Sequence, residues 1–142
     1  YLNNKTTIME KTTKKDRLKE LAGKYNLVAE DFFKVHNSII ITRTGVEKIQ
    51  TVANIKLKYD VIALDLPNKF AAVKCTAEMN NESFGQRIAE SFGESAGYNT
   101  KAPYPLAMAE KRAKARAILQ LTEFYQIGVY SEDESDDFKN TK

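Results

Sequence analysis

Between Lys101 and Arg116 the chain places Lys101, Lys111, Arg112, Lys114 and Arg116 against one carboxylate, Glu110. Ammonium and guanidinium groups at this density suit one chemistry above others, the neutralisation of phosphate. At 100° per residue Lys111 and Lys114 leave one flank of a helix, and Arg112 and Arg116 leave the other. Glu110 precedes Lys114 by four residues and can pair with it. Arg112 and Arg116 have no acidic residue three or four positions before them, so their charge is expected to be unpaired. The same pattern also describes an ordinary solvated helix face. Density favours the anion-binding reading, with Lys111, Arg112 and Arg116 as first-rank phosphate contacts and Lys114, Lys101 and Arg43 behind them.

Other chemistries lack their residues. No glycine loop is followed by Lys-Ser/Thr, so no phosphate cradle for a nucleotide is present. No serine sits in a GxSxG turn. His36 and Cys75 are the only members of their types and lie far apart, which gives neither a metal-site spacing nor a Cys–His nucleophile pair. Glu90 and Glu94 share a strand face, but a two-metal site needs carboxylates converging from several elements. Nothing in the sequence requires an enzyme or a cofactor. Cys75, in an apolar run, reads as a buried inert thiol.

The element that carries the cations is the longest helical run in the chain. Asn99 and Thr100 are suitable caps, and Pro103 and Pro105 suit an entry and first turn. From Leu106 to Gln126 there is no Gly or Pro. Leu106, Ala109, Ala113, Ala117, Leu121 and Phe124 form one face whose alanine centre lets a neighbouring layer approach closely. Before it, Lys14–Leu27 reads as an amphipathic helix, and Ala29–Phe33 as a short helical turn. Ser38–Thr42 reads as a strand and Val46–Ile55 as a helix. Lys56–Leu66, Lys69–Met79 and Phe84–Ser95 read as three antiparallel strands, with turns at Pro67-Asn68 and Asn80-Asn81. Gly85 and Gly93, in the last strand, mark bends, bulges or close backbone approach. Gly128 is the expected stop of the long helix.

The predicted class is a two-layer α+β domain: a three- to four-stranded antiparallel sheet with the long basic helix across one face and the other face open. With 142 residues the chain makes one domain, residues 14–131, after an arm over 1–13 and before an acidic tail over 132–142. The tail holds five carboxylates and two lysines, net −3, which leaves +6 on the remainder of a chain of formal charge +3. No apolar run spans a membrane, and a cytoplasmic setting is expected.

The runs GVEKIQTVANI, KFAAVKCTAEM, SFGESAGYNT, AMAEKRAKARAILQLTEFY and YSEDESDDF resemble phage and mobile-element single-strand DNA annealing proteins of the Rad-fifty-two type. The resemblance covers roughly residues 38–138 and rests most on Gly45–Lys48 and Glu110–Ala113. It implies the element order of double-stranded-RNA-binding-domain-like folds, α-β-α-β-β-β-α. It also implies phosphate contacts from Lys111 and Arg112, single-stranded DNA as partner in recombination and repair, no cofactor, and a ring-shaped homo-oligomer. A host or phage single-strand-binding protein is a further implied partner. Where the family often has a second Arg three residues after the first, this chain has Ala115, and Arg116 points 100° away. A protein-interaction module using the open sheet face or the acidic tail, and an RNA-binding domain, are the alternatives the residues leave open.

Overall fold

The computed structural model describes residues 14–96 and 104–134. Among the described residues two sheets and three helices form an α+β domain; the α+β class is as the sequence predicts, and the second sheet is not. Helix α1 covers residues 14–24. A 3-10 turn at Ala29–Asp31 leads into strand β1, Phe32–Val35. Strand β2 is Ser38–Ile41 and helix α2 is Arg43–Ala53. The meander follows: β3 Lys56–Asp65, β4 Phe70–Asn81, β5 Gly85–Ser95. Helix α3 is Pro105–Leu121, and β6 is Val129–Ser131.

Strand β4 is the centre of the larger sheet, antiparallel to both neighbours. Its Ala71, Val73, Cys75, Ala77 and Met79 are buried, and the residues between them face outward, the period of two that a half-covered strand requires. Helix α3 covers the buried side. Its Ala109, Ala113 and Ala117 have no exposed surface, as the alanine stripe predicts. The approach is close enough that a Cβ on Gly93 would stand 2.3 Å from the Ala109 carbonyl oxygen and from the Ala113 nitrogen. Glycine is required there for space.

The helix runs over β4 and β5 and scarcely touches β3. One end of the core is aromatic: Tyr25 stacks on Phe84 with centroids 5.2 Å apart and leans on Phe124 at 5.9 Å. That contact seats α1 beside the C-terminal end of α3, where Arg17 pairs with Glu123.

The second sheet has the order β1-β2-β6. Strands β1 and β2 form a hairpin about His36, whose φ is 54°. Strand β6 joins β2 in parallel, Ile39 opposite Val129 and Ile41 opposite Ser131. Thr42 caps α2, its hydroxyl accepting from the Gly45 N–H at 3.1 Å.

Several expected boundaries move. Phe32 and Phe33 belong to a strand, not to a helical turn, because they pair with Ile41 and Ile40. The turn after β4 falls at residues 82–84, beyond Asn80-Asn81, and the Asn81 side chain accepts from the Phe84 N–H at 2.7 Å to close it. Helix α3 ends at Leu121, short of Gly128. Glu123 takes a left-handed φ of 72°, which stops the helix, and its carboxylate is held by Arg17 and Arg87. Gly128, with φ 85°, instead ends a 3-10 turn at Tyr125–Ile127. The chain after it is not a solvated tail from its first residue. Val129–Ser131 is a strand, and Glu132–Glu134 form a 3-10 turn in which Asp133 and Glu134 are buried.

Candidate nucleic-acid interface

The two flanks of α3 have different fates. On one flank Arg112 is 3% exposed, its Nη1 donating to the Glu94 carbonyl at 2.7 Å and its Nε to the Asp133 carbonyl at 3.4 Å. One turn later Arg116 donates from Nη1 to the Phe92 carbonyl at 2.8 Å and from Nε to Glu134 Oε1 at 2.5 Å. Both guanidinium groups therefore bridge β5 to the turn after β6. The expectation of unpaired charge on Arg112 and Arg116 is corrected. Their partners come from another element eighteen or more residues along the chain, which local i−4 and i−3 spacing cannot reveal.

Arg43 belongs to the same cluster. Its backbone N–H donates to Glu132 Oε1 at 2.7 Å and its Nε to Asp133 Oδ1 at 2.9 Å. The Asp133 carboxylate raises the guanidinium pKa further above its ordinary value. Arg43 stays more than half exposed, whereas Asp133 is buried. The three acidic residues after β6 thus engage two helices, through Arg43 on α2 and the two arginines on α3.

On the other flank Lys111 is exposed and Lys114 half-buried. Neither has an ionic partner among the described residues, and the expected Glu110–Lys114 pair does not form. Both line a cleft of about 110 Å³ between α2 and α3. Arg43, Val46, Glu47, Ala115, Ser131 and Asp133 complete it, so three cations stand against two carboxylates. Ser131 is 2% exposed, and its Oγ has no hydrogen-bond partner. The structure brings together Lys111, Lys114 and Arg43 of the predicted set. It turns Arg112 and Arg116 to the opposite flank, and Lys101 lies outside the described residues. Glu47 and Ser131 were not singled out from the sequence, and Asp133 entered only as one carboxylate of the acidic tail. They reach the cleft through the α2–α3 contact and through the parallel pairing of β6, which no local pattern signals.

Cys75 is buried as expected, and burial pushes its thiol up to about 11. Burial likewise takes the neighbouring Tyr59 hydroxyl to about 12. Glu90 and Glu94 do share the outward face of β5, but Glu90 pairs with Lys74 at 3.3 Å. Among the described residues no group of three or more His, Cys, Asp or Glu side chains gathers as a metal site, and no helix is long and apolar enough to cross a membrane.

No protein-family model matches the chain, and the curated proteins and solved structures likewise give no match.

Proposed function

We propose that the chain binds the phosphate backbone of single-stranded DNA and promotes annealing of complementary strands in phage or mobile-element recombination. The observation that carries this reading is the cleft between α2 and α3, where Lys111 and Lys114 stand beside Arg43 without ionic partners among the described residues. Cations left unpaired on a packed helix attract an anionic polymer, and neutralising its phosphates releases counterions. Bases turned away from such a site stay available to a complement. The reading needs no nucleotide hydrolysis, cofactor or metal. It carries with it a cytoplasmic setting, a homo-oligomer, and a host or phage single-strand-binding protein as a further partner.

Fluorescence anisotropy with single-stranded DNA, duplex DNA and duplex RNA at two salt concentrations tests it, together with annealing of complementary oligonucleotides. Tightest binding to single strands, a steep salt dependence and faster annealing support the proposal. Preference for duplex RNA would favour an RNA-binding domain reading A-form shape. Absence of binding to all three would leave an interaction module, for which the exposed apolar edge of β3 is the specific observation.

A further inference from the structure

We propose that β3 is a self-complementary edge that pairs antiparallel with β3 of a second copy of this chain, making one six-stranded sheet across a two-fold axis. The inference is independent of nucleic-acid binding. Among the described residues β3 has a strand partner on one side only, β4. Its ten residues are long for an unprotected edge, and unpaired strand edges recruit other chains. The stretch is also apolar where it should be covered. Val61 is 55% exposed, Ile62 56% and Leu64 47%. Val61 and Leu64 lie on the helix side of the sheet, opposite the buried Val73 and Ala71, but α3 is displaced toward β5 and does not reach over them.

The occupant follows from a β-bulge. Register shifts between Val61 and Ala63, leaving Ile62 unmatched by β4. The extra residue reverses the alternation of faces along the strand. Before the bulge the outward face carries Lys58, opposite Thr76; after it the outward face carries Asp65, opposite Phe70. Two copies running antiparallel with their bulges side by side place Lys58 of one opposite Asp65 of the other, twice. The same register places Tyr59 opposite Leu64 on the helix side and brings Val61 against the bulged Ile62. Cross-strand pairs of opposite charge and of apolar groups are the ones that stabilise sheets. Without the bulge only even-numbered residues of the second copy could lie opposite Lys58 on its own face, and no register would bring it to Asp65. Lys58 is exposed and has no ionic partner among the described residues, so it is available to a second copy.

The other outer strand, β5, also exposes Ile88 and Phe92, but one end of its edge is already engaged. On β5 the carbonyls of Phe92 and Glu94 are taken by Arg116 and Arg112. A head-to-tail extension of the sheet from β3 to β5 would lose those contacts. Pairing of β3 with itself loses none, and it is isologous, the commonest symmetry of oligomers.

Light scattering coupled to size exclusion, on the full chain at tens of micromolar, tests the proposal with a charge exchange. The parent is expected at the mass of two copies. Lys58→Glu and Asp65→Lys are each expected at the mass of one copy, with circular dichroism unchanged although the second removes the carboxylate that accepts from Asn68 in the turn after β3. The double variant Lys58→Glu/Asp65→Lys is expected to return to two. A parent of one copy overturns the proposal. So does an oligomer of any size that neither single variant alters. A one-copy parent that associates only after removal of residues 1–13 would assign the edge to that segment, and would also overturn it.

Discussion

The Nη1 of Arg112 donates to the Glu94 carbonyl at 2.7 Å, which fixes a helix side chain to the C-terminal end of β5. Because Nε also reaches the Asp133 carbonyl, the side chain joins the meander to the chain after β6. Arg112→Ala would leave two carbonyls short of a donor around a nearly buried position. Loss of about 2–4 kcal/mol is expected, measured as a lowered urea midpoint. A midpoint equal to the parent's would show that the contacts carry no stability.

The lysines of the opposite flank are expected to behave in the converse way. Lys111 is exposed and makes no ion pair among the described residues, so its removal costs the fold little. Under the proposed function Lys111→Ala weakens single-stranded DNA binding evenly across sequences and lowers the salt slope by about one. The thermal midpoint stays within a degree or two of the parent. An unchanged slope in this variant takes Lys111 out of the interface.

Gly93 sets the distance between layers. A methyl group there meets backbone atoms of α3 at 2.3 Å, and backbone cannot rotate out of the way. Gly93→Ala is expected to cost about 1–3 kcal/mol or more, as overpacking does. Ala113→Leu presses on the same contact from the helix side and should fall in the same range. If Gly93→Ala melts with the parent, the close approach of α3 to β5 is wrong.

Asp31 supplies a pH dependence. Burial pushes its carboxyl up, but the Val28 N–H at 2.9 Å and the Lys48 ammonium at 2.9 Å outweigh burial and hold it below the usual range. A carboxyl depressed in the folded state stabilises above its unfolded pKa, and that contribution is lost as pH falls through the folded one. Asp31→Asn is therefore expected to destabilise by about 1–2 kcal/mol at neutral pH. The difference from the parent should shrink below pH of about 4. A difference independent of pH would mean that shape, and not charge, matters at this position.

These contacts separate what the sequence makes legible from what it does not. The meander, α2 and α3 follow from alternation, from an uninterrupted helical composition and from turn residues, all local signals. The layer spacing follows too, because glycine on one strand face and alanine at helical period are two halves of one steric statement. Strand β1 escapes notice because four residues are too few for a period to show, and only pairing with β2 makes them a strand. The early end of α3 depends on Arg17 and Arg87 reaching Glu123 from distant elements. For the same reason the pairing of Arg112 and Arg116 cannot be read from their helix. Separation into a lysine flank and an arginine flank was legible; which flank meets carboxylates was not.

Glu134 tests whether those arginines also serve binding. Residues 135–142 hold two aspartates and two lysines, so the net −3 of the acidic end resides in Glu132, Asp133 and Glu134. Asp133 and Glu134 already occupy the cations that a phosphate would seek, Arg43 and Arg116, and Glu132 accepts from the Arg43 backbone N–H. Glu134 Oε1 accepts from Arg116, while its Oε2 is buried without a partner, so the carboxylate is only half satisfied. Glu134→Gln keeps the shape and one acceptor, removes the charge and leaves Arg116 with a full positive charge beside β5. If DNA competes for Arg116, this variant binds single strands more tightly than the parent at low salt. The gain fades at high salt, where screening weakens the attraction of both anions. Arg116→Ala in the same background should abolish the gain. Anisotropy titrations of the parent, Glu134→Gln and the double variant give the comparison directly. Equal affinity of parent and Glu134→Gln at every salt concentration would confine Arg116 to bracing β5 against the chain after β6.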